Sequence, residues 1–208
     1  MLNRFLISLL GLSLVAFNSS AMAANNPKIL IYGDSLSAAY GLPQQSGWPA
    51  LLKNKLQSEG YRYDIVNASI SGETTSGGLS RLKKTLEVTQ PAIIILELGA
   101  NDGLRGLPLN AMSKNLSSMI EQMQKTKAPI LLAGMKIPPN YGPQYTQGFN
   151  SSYQQLSKNY NLSLIPFLLD NVAAQPHLLL QDGLHPNAEG QRIMLQTIWP
   201  YLQPLLKK

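Results

Sequence analysis

One histidine of the sequence lies three residues after an acid, in the segment Asp182-Gly183-Leu184-His185-Pro186. This spacing lets one tight turn hold both side chains on the same side, so that the carboxylate can accept the Nδ1 proton and leave Nε2 free as a base. Ser35, in the turn-forming segment Gly33-Asp34-Ser35, is the candidate nucleophile. A serine hydroxyl becomes a useful nucleophile when a base takes its proton. These residue types therefore predict acyl transfer through a serine.

Acyl transfer also needs hydrogen-bond donors for the negative charge that develops on the carbonyl oxygen, and two residues are candidates. Gly72 can present a backbone amide that no side chain blocks, and Asn101 can present its carboxamide. Each also has a structural interpretation: a tight turn for Gly72, and a hydrogen bond within its own loop for Asn101. Their combination with Ser35 and His185 favours the catalytic interpretation.

The segments that carry these residues each follow a predicted strand. Short apolar runs alternate with helical patterns, which predicts a three-layer α/β/α sandwich around a parallel sheet of about five strands. We expect strands near residues 28–32, 63–67, 92–98, 130–135 and 162–167, helices near 46–60, 79–86, 110–127, 149–160 and 187–201, and a long irregular loop at 136–148. Since the carboxyl ends of parallel strands meet at one edge, the loops with Ser35, Gly72 and Asn101 should converge there.

The composition excludes several other kinds of chemistry. No cysteine is present, so thiol nucleophiles, iron–sulfur clusters and thiolate zinc sites are ruled out. His177 and His185 are the only histidines, which rules out a three-histidine metal site, and we expect no metal and no cofactor. His177 lies outside the motifs and is expected at the surface or in packing. The net charge is +6, but basic residues are scattered, which argues against a nucleic-acid partner.

Residues 1–23 have the features of a cleavable signal peptide. A short basic segment ends at Arg4, residues 5–17 are almost entirely apolar, and Ala21-Met22-Ala23 offers the small-x-small pattern of a cleavage site. We therefore expect export to the periplasm or beyond, with residues 24–208 forming one domain. No later stretch approaches the roughly 20 apolar residues of a membrane span, so no transmembrane segment is expected. The oligomeric state is left open, with a monomer as the expectation.

Four sequence blocks together resemble the SGNH (GDSL) hydrolase family, in its bacterial TesA-type branch of thioesterase I/protease I/lysophospholipase enzymes. The blocks are Gly33-Asp34-Ser35-Leu36-Ser37, the segment 67–74 around Gly72, the segment 99–106 around Asn101, and Asp182-Gly183-Leu184-His185-Pro186. The resemblance implies that Ser35 is the nucleophile, His185 the base and Asp182 its orienting acid. It implies that Gly72 and Asn101 join the Ser35 amide in an oxyanion hole. It also implies the flavodoxin-like strand order 2-1-3-4-5.

Apolar residues in two segments of the chain predict an acyl pocket. Its expected rim comprises Leu104, Leu107, Pro108 and Leu109 after Asn101, and Ile137, Pro138, Pro139 and Tyr141 in the 136–148 loop. The favoured function is hydrolysis of small-molecule esters and thioesters, such as aryl esters, acyl-CoA and lysophospholipids. Two alternatives stay open: a carbohydrate deacetylase, for which this rim is less suited, and a non-catalytic carrier of lipids or small ligands with the same fold.

Overall fold

One parallel sheet forms the centre of the protein in a computed structural model that describes residues 26–208. Its strands, in the spatial order β2-β1-β3-β4-β5, are β1 (Lys28–Gly33), β2 (Asp64–Asn67), β3 (Ile93–Glu97), β4 (Ile130–Ala133) and β5 (Ser163–Ile165). The central strands β3 and β4 are buried throughout, as expected for apolar runs covered on both faces. The predicted fold class and the strand order implied by the resemblance are both confirmed.

Helices cover both faces of the sheet. They are α1 (Trp48–Ser58), α2 (Thr75–Thr89), α3 (Ala100–Leu104), α4 (Leu109–Gln124), α5 (Pro143–Tyr160) and α6 (Ala188–Leu202). α1 packs against α6, and α4 packs against both α2 and α5. The predicted apolar face of α4 is buried, including Met112, Met119 and Met123, so these methionines belong to the core.

Two segments differ from the sequence prediction. Residues 136–148 are not one irregular loop, because they contain a 3-10 turn at Pro139–Tyr141 and the start of α5 at Pro143. Proline is favoured at the first position of a helix, where its missing N–H would have no helical partner. The segment after β3, expected as a loop, forms the short helix α3. A helix of one turn is too short to produce a periodic apolar pattern.

The predicted signal peptide of residues 1–23 lies outside the described residues. Across residues 26–208, no helix combines the length and the apolar character needed to cross a bilayer.

Candidate active site

Ser35, His185 and Asp182 form a continuous hydrogen-bonded chain across the carboxyl edge of the sheet. His185 Nε2 lies 2.8 Å from Ser35 Oγ, and His185 Nδ1 lies 2.7 Å from Asp182 Oδ2. With the proton on Nδ1, the imidazole donates to the carboxylate and its Nε2 can accept the serine proton. The tertiary fold thus brings together residues 150 positions apart, in the geometry that activates a serine.

A local turn holds the Asp182 carboxylate in position next to His185. Asp182 Oδ1 accepts hydrogen bonds from the backbone N–H groups of Leu184 and His185, at 2.9 and 3.0 Å. Gly183 has φ +66°, a left-handed conformation that glycine adopts without steric cost. Burial opposes ionisation of Asp182, but the backbone hydrogen bonds and the His185 ring lower its pKa to about 2. Asp182 is therefore an anion at neutral pH and can stabilise a charged imidazole.

A tyrosine that sequence reasoning missed restrains the histidine ring. The rings of Tyr40 and His185 lie 4.4 Å apart, centroid to centroid, and are tilted by 36°. The backbone of the histidine is also held, because Leu180 N–H donates to the His185 carbonyl at 2.7 Å. These contacts limit rotation of the imidazole away from Ser35. Nothing local in the sequence around Tyr40 indicates a partner so far along the chain.

Gly72 and Asn101 line the same cavity as Ser35. Asn101 Nδ2 donates one hydrogen bond to Asp34 Oδ2 at 3.1 Å. A carboxamide nitrogen carries two hydrogens, so the second is available to a bound ligand. Gly72 has φ +78°, and its carbonyl accepts a hydrogen bond from Arg105 Nη2 at 2.9 Å. A residue with a β-carbon would be strained at this angle, which explains the glycine.

Asp102 joins the two segments that carry Gly72 and Asn101. Its buried carboxylate accepts hydrogen bonds from the N–H and the hydroxyl of Thr75, at 2.8 and 2.6 Å. Thr75 is the first residue of α2, and Asp102 lies in α3, so the contact fixes the position of one segment relative to the other. Asp102 lies within the sequence segment 99–106 and has no role among the sequence predictions. Its position next to Asn101 was the available signal.

A cavity of about 620 Å³ opens beside Ser35, a volume typical of small-molecule sites. Of the expected acyl rim, Leu104, Ile137, Pro138 and Pro139 line this cavity, whereas Leu107, Pro108, Leu109 and Tyr141 are not among the lining residues. Leu107 is exposed after the turn at Gly106. Tyr141 instead donates a hydrogen bond from its hydroxyl to the Leu104 carbonyl at 2.7 Å, which supports the wall without lining it.

A second group of lining residues was not predicted from the sequence. These are apolar residues that follow β5, among them Phe167, Leu169, Ala173 and Leu179. These residues lie in a segment with little regular structure between β5 and α6, so no periodic pattern marks them. Apolar groups from two separate parts of the chain therefore line the cavity next to the serine.

The described part of this site contains neither a metal-binding group of side chains nor the second histidine. Among residues 26–208, no group of three or more histidine, cysteine, aspartate or glutamate side chains could hold a metal ion. His177 is exposed and outside the cavity lining, and its carbonyl accepts a hydrogen bond from Asn187 Nδ2 at 2.7 Å. Of the two positions expected for His177, surface or packing, the structure shows the surface.

Four segments of the chain, each following a different strand, thus bring a serine, a glycine, an asparagine and a histidine to one cavity. On a parallel α/β/α sandwich, this arrangement defines the class of SGNH hydrolases, which are enzymes. The profile of the GDSL-like Lipase/Acylhydrolase family matches residues 31–193, and the chain belongs to that family. The resemblance found in the four sequence blocks is confirmed.

Named relatives extend this assignment over nearly the whole chain. The protein is 43% identical over 195 residues to Esterase TesA of Pseudomonas aeruginosa, with 94% of this chain and 96% of the relative covered. It is 41% identical over 181 residues to an arylesterase of Vibrio mimicus, covering 86% and 90% of the two chains. The crystal structure of the psychrotrophic esterase EstA from Pseudoalteromonas, inhibited by monoethylphosphonate, superimposes with a TM-score of 0.82 at 42% identity, covering 86% and 98%.

Proposed function

We propose that this enzyme hydrolyses carboxylic esters and acyl thioesters through a covalent acyl-enzyme, with Ser35 as nucleophile, His185 as base and Asp182 as orienting acid. The observation that carries the proposal is the hydrogen-bonded chain from Ser35 Oγ through both ring nitrogens of His185 to the carboxylate. Relatives named as an esterase and an arylesterase support the ester substrates. The phosphonate-inhibited relative supports a serine mechanism, because phosphonates form adducts with activated serines.

In the first half of the reaction, His185 Nε2 takes the Ser35 proton as Oγ attacks the carbonyl carbon. The carbonyl oxygen becomes an oxyanion, which accepts hydrogen bonds from the free Asn101 Nδ2 hydrogen and from the Gly72 and Ser35 amides. The protonated imidazole, stabilised by Asp182, then gives its proton to the departing alcohol or thiol. Water attacks the acyl-enzyme in the second half with His185 again as base, and the carboxylic acid leaves.

The apolar cavity supports an acyl substrate over a sugar. Its leucine, isoleucine, proline and phenylalanine side chains offer a surface for an alkyl chain. Outside the candidate catalytic groups and Asp34, the polar lining residues are Tyr40, Ser71 and Lys136. This favours esters and thioesters of fatty acids over the carbohydrate deacetylase alternative. A substrate panel of aryl esters, acyl-CoA, lysophospholipids and acetylated sugars tests this choice. Higher kcat/KM on acetylated sugars than on acyl esters would favour the deacetylase.

A fluorophosphonate probe separates an enzyme from a carrier of the same fold. The probe forms a covalent bond only with an activated serine, so the enzyme should be labelled at Ser35, and peptide mapping identifies the modified residue. A carrier that binds lipid without cleaving it would not be labelled.

We also propose that the enzyme works outside the cytoplasm, as a domain of residues 24–208 after removal of residues 1–23. The basic start, the apolar run and the Ala21-Met22-Ala23 segment support this location. The N-terminal sequence of the protein recovered from the periplasmic fraction should begin at Ala24.

Asn101→Ala is expected to lower kcat roughly a hundred- to a thousandfold with little change in KM. The reason is that the lost donor matters mainly once negative charge develops on the carbonyl oxygen. Steady-state kinetics on a p-nitrophenyl ester, together with the melting temperature, test this role. If turnover and thermal stability fell together, Asn101 would instead be a structural residue that only holds its neighbour Asp34.

The acyl-length dependence of activity should change with Leu104 and not with Leu107. Leu104 lines the cavity, whereas Leu107 is exposed and outside its lining. Each methylene buried against Leu104 contributes at most ~0.8 kcal/mol, or about fourfold in kcat/KM, so Leu104→Ser should flatten the rise of kcat/KM with chain length. The measurement is a p-nitrophenyl ester series from acetate to palmitate, with Leu107→Ser as the matched control. Identical profiles for Leu104→Ser and wild type would place the acyl chain elsewhere.

A further inference from the structure

Two buried carboxyl groups lie beneath the candidate active site, and the proposed mechanism does not use them. Asp34 and Glu97 are both 0% exposed. They lie at the carboxyl ends of adjacent strands, where Gly33 of β1 pairs with Glu97 of β3. A β-carbon at Gly33 would collide with the Glu97 carboxylate, so the glycine is what allows this close approach. The pair is therefore built into the fold.

Each carboxyl group of the pair has neutral hydrogen-bond partners. Asp34 Oδ1 accepts from the Leu36 N–H at 3.0 Å, and Asp34 Oδ2 accepts from Asn101 Nδ2 at 3.1 Å. Glu97 Oε2 accepts from the Asp34 N–H at 3.2 Å and from the Ser37 hydroxyl at 2.7 Å. The ion pairs found among residues 26–208 include neither carboxyl group. No lysine or arginine thus neutralises the pair.

The two carboxyl groups differ in how their oxygens are satisfied. Both oxygens of Asp34 accept hydrogen bonds, which favours its ionised form. On Glu97 only Oε2 accepts, and the buried Oε1 has no hydrogen-bond partner in the described residues. An ionised carboxylate with one buried, partnerless oxygen is costly. In the neutral acid Oε2 is the carbonyl oxygen that accepts both hydrogen bonds, and the unpaired group at Oε1 is an uncharged hydroxyl, which costs less to bury than a charge.

Electrostatics favour the same assignment. Burial, followed by the charge of Asp34, raises the pKa of Glu97 well above its usual range. Burial raises the pKa of Asp34 only to about 6, because hydrogen bonds from Leu36 and Asn101 oppose the shift. The other titratable neighbours are His185, which acts on Asp34, and Tyr153, whose pKa burial raises well above its usual range. At neutral pH the pair therefore carries one negative charge, located on Asp34.

We propose that Glu97 is a positioning residue that acts as a neutral acid, confines the negative charge of the pair to Asp34, and so lets Asp34 orient the Asn101 carboxamide. A carboxamide is planar, so the hydrogen bond to Asp34 fixes the direction of the second Nδ2 hydrogen. A second negative charge beneath the same site would oppose the oxyanion that forms there. The inference rests on the proposed function, because the role given to Asn101 does.

The kinetic test compares Glu97→Gln with Glu97→Ala. The amide of Glu97→Gln supplies an uncharged acceptor for the Asp34 N–H and the Ser37 hydroxyl, whereas Glu97→Ala leaves both donors buried without a partner. We expect kcat of Glu97→Gln to exceed that of Glu97→Ala at least tenfold, and Asp34→Asn to lower kcat at least tenfold with little change in KM. Glu87→Gln, at an exposed site on α2, is the matched control for loss of a glutamate. Equal kcat losses in Glu97→Gln and Glu97→Ala would overturn the proposal.

Infrared spectroscopy reads the protonation of Glu97 without any substrate. Wild type at neutral pH should show the carbonyl band of a buried protonated carboxylic acid, and Glu97→Gln should lose it. Persistence of that band in Glu97→Gln would overturn the proposal, as would its absence in wild type. The infrared measurement tests the protonation state of Glu97 even if Glu97→Ala does not fold. Failure of the proposed function has a different signature, since wild type would then neither hydrolyse esters nor react with a fluorophosphonate.

Discussion

Ser35→Ala is expected to reduce ester and thioester hydrolysis at least about a thousandfold while the fold is retained. The substitution removes the only atom that forms the covalent intermediate, the Oγ that lies 2.8 Å from His185 Nε2. What remains is activity from binding and from oxyanion stabilisation alone. The measurements are kcat on p-nitrophenyl esters and acyl thioesters, and labelling by a fluorophosphonate, which should disappear.

The control for Ser35→Ala is Ser58→Ala, at an exposed serine whose hydroxyl donates only to the Lys55 carbonyl, at 2.9 Å. Its activity and labelling should match those of wild type. A melting temperature of Ser35→Ala close to that of wild type would show that the loss is chemical. Residual turnover above about 0.1% of wild type would falsify the assignment of Ser35 as nucleophile.

Asp182→Asn is expected to lower kcat/KM about ten-thousandfold, the loss typical of a catalytic triad whose acid becomes an amide. The Oδ1 atom of asparagine can still accept the Leu184 and His185 N–H groups, so the turn should persist. The Nδ2 group then faces His185 Nδ1 as a donor. It selects the tautomer with the proton on Nε2, which cannot accept the serine proton, and it no longer stabilises the imidazolium.

Two control variants test whether the loss of kcat/KM is specific to Asp182, or whether removing any surface carboxylate or the second histidine has the same effect. Asp170→Asn changes an exposed aspartate outside the cavity lining, and His177→Gln changes the exposed second histidine. Both should retain kcat/KM within about twofold of wild type, as surface substitutions generally have small effects. Full activity in Asp182→Asn would mean that another acid orients His185.

The amino-acid sequence by itself determined the five strands, the longer helices and the membership of the family, but not the short helix α3 or the structure within residues 136–148. Strand β3 and helix α4 were predictable because burial on both faces leaves a continuous apolar run, and burial on one face leaves a helical period. The turn between Asp182 and His185 was predictable because four consecutive residues form a local structure whose geometry follows from their spacing. The four blocks identified the family because each lies directly after a strand or before α6, where the chain order fixes the edge of the sheet.

Only the tertiary structure decided which distant groups meet at this edge. The ring of Tyr40 on His185, the wall formed by Phe167 and Leu169, and the carboxyl pair of Asp34 and Glu97 all join segments separated by many residues. Such contacts leave no periodic pattern in the sequence, because each depends on one side chain and not on a repeated spacing of residues. Local spacing therefore specifies helices, strands and turns, whereas the environment of each side chain, and with it the protonation of a buried carboxyl, is set by packing between elements.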